Sequence, residues 1–161
     1  KSFLNKLPLV VDKTSFNTLD SFHHWDSKLY KDTFFSFVYE TWAISPNIVF
    51  YSEKIYKCIL NFHPFVAWAN PHTLKYMNEN GYKSFFPHIN ENYDNHVSAE
   101  NRSMLAMKEM VTLCDMPKVQ LLDWYANQEE ILTHNYNHFM TEDRFKKSVS
   151  QFLEVYDRVV E

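Results

Sequence analysis

Two runs of strand-forming residues with a helical pattern between them constrain this chain more than any other feature. Thr33–Tyr39 (TFFSFVY) is aromatic, β-branched and nearly continuous in apolar character, which suits a strand buried on both faces. Pro64–Trp68 (PFVAW) is the second such run. Between them Ile55, Cys58, Ile59 and Phe62 recur at helical spacing, which predicts a helix of about three turns. Strand, short helix and strand in that order imply a parallel pair joined by a right-handed crossover.

The rest of the chain extends this pattern. Leu7–Asp12 (LPLVVD) reads as a short buried strand, residues 13–32 as loop with a short helix, and Tyr82–Phe86 as a further strand. The expected fold is therefore α/β, a Rossmann-like parallel sheet of about four strands with short crossover helices and a C-terminal helical segment. Asn70–Pro71 suits the N-cap and first position of a second short helix carrying Leu74 and Met77. Gly81, the only glycine, follows Asn80 as a left-handed residue just past that helix end. Helices are expected over 98–115, 117–139 and 142–160, with Pro117 and Thr141 at two of their starts. The reading is one Rossmann-like domain over 1–161, with 1–96 as sheet and crossovers and 97–161 as helical cover. Because the chain opens on Lys1 and runs straight into a strand-like segment, it is expected to be half of a longer protein.

Bulk properties exclude several classes. At 161 residues and 45% hydrophobic, the chain can build one core but is short for two. A net charge of −4, with Lys and Arg scattered, leaves no basic stripe for nucleic acid and no polybasic membrane patch. No apolar run approaches the roughly 18 residues of a membrane span, and no signal peptide is visible. Cys58 and Cys114 both lie in apolar helical patterns and read as buried free thiols, which fits a reducing compartment.

The chemistry concentrates after the first of the two strands. Ser52 is a good N-cap, and Glu53 stands in the first turn, where a carboxylate complements the helix dipole. Glu40 ends the preceding strand, so in a parallel sheet both carboxylates face the carboxyl edge, where ligands bind. Glu53 there either accepts ribose hydroxyls or merely offsets the dipole. Lys54 is a cation placed against that dipole, as a residue meeting an anion would be. Asn70–Pro71–His72–Thr73 is a second helix start at the same edge, either a contact for phosphate or sugar hydroxyls or an ordinary cap. The loop Pro87–Asp94, with Glu91 and Asp94, either closes over a ligand or is a solvated connection.

Other chemistries find less support. His134 and His138 share a helix face, and His23–His24–Trp25–Asp26 forms a second cluster, but neither shows a third metal ligand, so no metal is expected. A nucleophile elbow is missing, and a single glycine rules out both the P-loop and the G-x-G-x-x-G fingerprint.

The run F-F-S-F-V-Y-E-T, then Y-S-E-K-I-Y-K-C-I-L, then H-P-F-V-A-W resembles the donor half of α1,3-fucosyltransferases. Those show a strand ending in F-E-N, then Y-x-[ST]-E-K-[LIF], then an apolar strand beginning with Pro. Residues 70–94 are also similar to uncharacterised glycosyltransferase-like proteins of phages and bacteria, which carry S-E-K…H-P-F…L-K-Y-L…G-Y-K-T-F…E-S-Y-D. The resemblance, over residues 33–94, implies a GT-B glycosyltransferase whose C-terminal domain binds a sugar nucleotide, GDP-linked in the fucosyl case, without a metal or other cofactor. It matches Glu40 and Glu53 to donor-site carboxylates, Lys54 to a phosphate-facing lysine, and Ser52 to the family's Ser or Thr. Tyr51 stands one place from the family's tyrosine, whose own position holds Phe50, and Thr41 replaces the Asn of F-E-N. No arginine precedes Arg102.

The expected function is thus the nucleotide-sugar-binding half of a GT-B-like enzyme, with Glu40, Tyr51, Ser52, Glu53, Lys54 and Asn70 binding the donor. Its partners would be the donor, a glycan or protein acceptor, and an N-terminal domain or second chain that brings the catalytic base. The isolated chain is expected to be inactive, and its setting the cytoplasm of a bacterium or virus-infected cell. The alternative is a non-catalytic binding or structural module that keeps the fold, favoured by the aromatic segments Phe22–Trp25, Trp42 and Trp124–Tyr125.

Overall fold

The structure, a computed structural model, describes residues 27–141. Along the chain these form α1 (Ser27–Lys31), β1 (Ser36–Tyr39), α2 (Glu53–Leu60), β2 (Phe65–Trp68), α3 (Thr73–Glu79), a 3-10 helix (Glu91–Asn95), α4 (Ala99–Cys114), α5 (Lys118–Ala126) and α6 (Glu129–Thr141). The fold is mixed α/β. The predicted strand Leu7–Asp12, the histidine cluster 23–26 and the predicted helix 142–160 lie outside the described residues.

The central unit is the expected β–α–β. β1 and β2 pair in parallel, with Ser36 opposite Phe65 and Tyr39 opposite Trp68. α2 packs on both strands, burying Ile55, Cys58 and Ile59 against Val38, Val66 and Ala67. Burial pushes the Cys58 thiol up to about 12, so it stays protonated and packs as a small hydrophobe. Phe62 does not continue this face. The helix ends at Leu60, and Phe62 takes a left-handed φ of 52°, letting the Phe62 and His63 N–H groups donate back to Ile59 and Cys58 carbonyls at 3.2 and 2.9 Å.

Among the described residues the sheet has two strands, not four. Ser36 and Glu40 N–H donate to Pro64 and Trp68 carbonyls, so the Ala67 N–H points away from β1. That outward amide is taken at 3.3 Å by the buried Tyr93 hydroxyl, and α4 packs along the same strand. The predicted strand Tyr82–Phe86 consequently joins no ladder. Its backbone is satisfied by side chains instead: Asn135 accepts from Lys83 N at 2.7 Å and donates to Lys83 O at 3.0 Å, and Glu91 accepts from Phe85 N. One amide side chain thus mimics a neighbouring strand in both directions.

The helical cover also differs in detail. The predicted 117–139 helix is two, because Asn127 ends α5 and buried Gln128 redirects the chain, donating to Trp124 O while its own carbonyl accepts from Leu132 N. Thr141, expected to mark the start of a further helix, is itself helical and lies within α6, at the end of the described residues. Trp124 is buried, with its indole N–H on His88 O, so it belongs to the core and not to an aromatic surface. Cys58 and Cys114 are both free thiols, but Cys114 is exposed where burial was expected. Gly81 behaves as expected: at φ +96° it follows the Asn80 cap, and Gly81 N and Tyr82 N donate to Asn78 and Met77 carbonyls.

Candidate functional site

The edge where both strands end is built around Glu40. This first residue beyond β1 extends the ladder through its N–H to Trp68 O at 3.0 Å, and its side chain is fully buried. Oε1 accepts from Ser52 N and Oε2 from Ser52 Oγ, each at 2.8 Å. Ser52, in extended conformation, is the N-cap of α2 and accepts from Lys54 N at 3.3 Å. The Lys54 ammonium then reaches Glu40 Oε2 at 3.4 Å, Ser52 Oγ at 3.2 Å and Thr41 Oγ1 at 3.3 Å, with 38% of its side chain exposed. The carboxylate of Glu53, half-buried in the first turn, makes no hydrogen bond or ion pair among the described residues.

Glu40, Ser52 and Lys54 therefore form one hydrogen-bonded cluster with Glu53 beside it in the chain. The other two predicted residues stand elsewhere. The Tyr51 ring packs near Tyr56 and Tyr76, at centroid distances of 5.6 and 6.2 Å. Asn70 is buried under the 41–50 loop: its amide donates to Trp42 O and Ser45 O, and its oxygen accepts from Phe50 N at 3.1 Å. Asn70 and the Glu40 carboxylate are both buried and hydrogen-bonded to the chain itself.

The second helix start departs from the expected cap. α3 begins at Thr73 after His72, whose φ is 64°, and Asn70 lies outside the helix. Its first-turn amides are capped from a distance: the Asp94 carboxylate accepts from Leu74 N at 3.1 Å and Lys75 N at 3.0 Å. Burial pushes the Asp94 carboxyl up, and these backbone donors pull it partly back. Glu91 is raised by burial in the same way, with its carboxylate on Ser84 Oγ and Phe85 N. The polar 87–94 segment thus folds inward and ties α3 to the core.

Arg102 is the main residue that the sequence did not single out. It is almost fully buried and donates to Ala69 O at 2.8 Å, His96 O at 2.6 Å, Val97 O at 3.0 Å and also Ala43 O. Burial pulls the guanidinium down while Asp94 pushes it back up. Its signal was an arginine on the inward stripe of α4, in line with Ala106 and Leu113. Together Arg102 and Asn70 grip the 41–50 loop from below, while the loop presents Trp42 (55% exposed), Ile44 (68%), Ile48 and Val49 outward.

The paired histidines have a structural task. His134 and His138 stack in parallel, and each donates Nε2–H at 2.8 Å to a carbonyl at the end of α3, Gly81 O and Asn80 O respectively. Among the described residues no group of three or more His, Cys, Asp or Glu side chains could hold a metal ion. Nor is any helix there long and apolar enough to cross a membrane. The chain matches no family model, no curated protein and no solved structure.

Proposed function

We propose that this chain is the nucleotide-sugar-binding half of a GT-B-like glycosyltransferase, fucosyltransferase-like in its edge motif. The observation that carries this reading is the α2 start at the carboxyl edge of a parallel strand pair, where the part-exposed Lys54 side chain follows Glu53, whose carboxylate has no partner among the described residues. Lys54 and the first amides of α2 hold the diphosphate and the charge that grows on it as the glycosidic bond breaks. Glu53 accepts hydroxyls of the ribose or the sugar, and Glu40 acts from behind the site. No metal is required. The acceptor, glycan or protein, and the catalytic base belong to a further domain or partner chain.

Calorimetric titration with GDP, UDP and their sugars tests the proposal. Saturable binding that is lost in Glu53→Ala and weakened about tenfold in Lys54→Ala is expected, the size of one charge-assisted contact. A second reading, a non-catalytic binding module, draws on the uncovered apolar side chains of Trp42, Ile44, Ile48 and Val49 at the same edge. Failure to bind any of these nucleotides selects that reading.

A further inference from the structure

We infer that Glu40 is a positioning residue, which fixes the direction of the Lys54 ammonium through the Ser52 hydroxyl without itself meeting a ligand. The purpose of this arrangement rests on the nucleotide-binding reading above; its geometry does not. A carboxylate wholly removed from water is costly unless every strong donor around it is well placed. Here three are: Ser52 N, Ser52 Oγ and Lys54 Nζ.

Counting hydrogens shows how the arrangement is fixed. Ser52 has a single hydroxyl proton, and Glu40 takes it, so the oxygen lone pairs turn to Lys54 N and Lys54 Nζ. The ammonium has three protons and meets three acceptors: Glu40 Oε2, Ser52 Oγ and Thr41 Oγ1. Lys54 is therefore aimed from beneath by a group at 0% exposure while part of its own side chain stays in solvent. In Glu40→Gln, the carboxamide keeps the oxygen for Ser52 N but sets an NH2 against the Ser52 hydroxyl and the ammonium. Both of those then reorient.

A purely structural glutamate and a positioning one predict opposite signs. By Coulomb's law alone, removing a negative charge 3.4 Å from Lys54 strengthens binding of any anion. If Glu40 aims the ammonium, the same change weakens it. The test uses the full chain, with two readouts. Acetylation by acetic anhydride, read by mass spectrometry, compares the rate at Lys54 with that at exposed Lys108. Glu40→Gln is expected to raise the Lys54 rate several-fold, and an unchanged rate overturns the inference. Titration with GDP, UDP and inorganic pyrophosphate is expected to show about tenfold weaker binding in Glu40→Gln, and tighter binding overturns it. If the wild-type chain binds none of these probes, the nucleotide reading falls, and the Lys54 acetylation rate in Ser52→Ala, which keeps the Glu40 charge, decides the role of Glu40. Should Glu40→Gln lack a cooperative melt, Ser52→Ala takes its place. That variant keeps the carboxylate and removes the relay, so faster Lys54 acetylation supports the inference and an unchanged rate overturns it.

Discussion

α2 and α3 both begin near the edge where the strands end, yet only one start is open. The first amides of α3 receive a carboxylate from within, since Asp94 covers Leu74 N and Lys75 N and its own carbonyl accepts from His72 N at 2.7 Å. At α2 the cap is the neutral Ser52 hydroxyl, the Glu40 carboxylate lies buried behind that serine, and the first turn carries a half-buried Glu53 and a part-exposed Lys54. A helix start that already holds an anion has no use for another. The difference arises from one residue far along the chain, so two similar capping signals acquire different meanings.

Substitutions can break that contrast, and the largest effect is expected at the closed start. Asp94→Ala leaves two part-buried amides without their acceptor and removes the carboxylate that acts on Arg102, so urea denaturation should show a loss of about 2–4 kcal/mol. A loss well under 1 kcal/mol would mean that α3 does not depend on its built-in anion. Asn70→Ala removes three part-buried hydrogen bonds beneath the 41–50 loop and should cost about 2–3 kcal/mol, with faster deuterium exchange at Phe50 N. Ser52→Ala, at the open start, should cost about 1–2 kcal/mol, for the loss of the N-cap and of one donor to the buried Glu40 carboxylate. Lys54→Ala should change stability by only about 0–1 kcal/mol, because its ion pair is part-exposed and screened. If instead it destabilises the fold as much as Asp94→Ala, the two starts are alike and the contrast fails.

A pH titration supplies the background for all four variants. Burial pulls the His63 imidazole below its ordinary 6.5, and it remains neutral between the Ser36 hydroxyl at 2.8 Å and Thr33 O at 3.0 Å. Below pH 6.5 the unfolded chain takes up a proton that the folded chain resists, so stability should fall as pH falls through that value and level off above it. His63→Gln should flatten that slope, as read from denaturation midpoints across pH 5–8.

Local signals carried the parts of the fold that local chemistry decides. Ser52 as a cap, Gly81 past a helix end, and the β1–α2–β2 order were all legible in short windows. The two-stranded sheet was not, because the Tyr93 hydroxyl at its edge and the Asn135 amide beside Lys83 come from distant positions. Phe62 misled because a phenylalanine at helical spacing gives no sign that it will take a left-handed φ. For the candidate site, the residues were visible and their burial was not. Polar residues at a sheet edge are counted as exposed, whereas the loop between Glu40 and Asn70 folds back, and both side chains are buried and bonded to the chain.

α3 is held at its start by Asp94 and at its end by His134 and His138, and the nearest imidazole atom of His138 would lie 2.6 Å from a β-carbon at position 81. A seven-residue helix has little stability alone, so its integrity is borrowed from the 3-10 helix and from α6. It cannot fray by one turn from either end without releasing a partner that is itself packed. Its amides should therefore exchange only in openings that also free the 3-10 helix or α6, while the first turn of α2 exchanges through small local ones. Of the two helices, the one with the closed start is the one hydrogen-bonded at both ends to more distant helices.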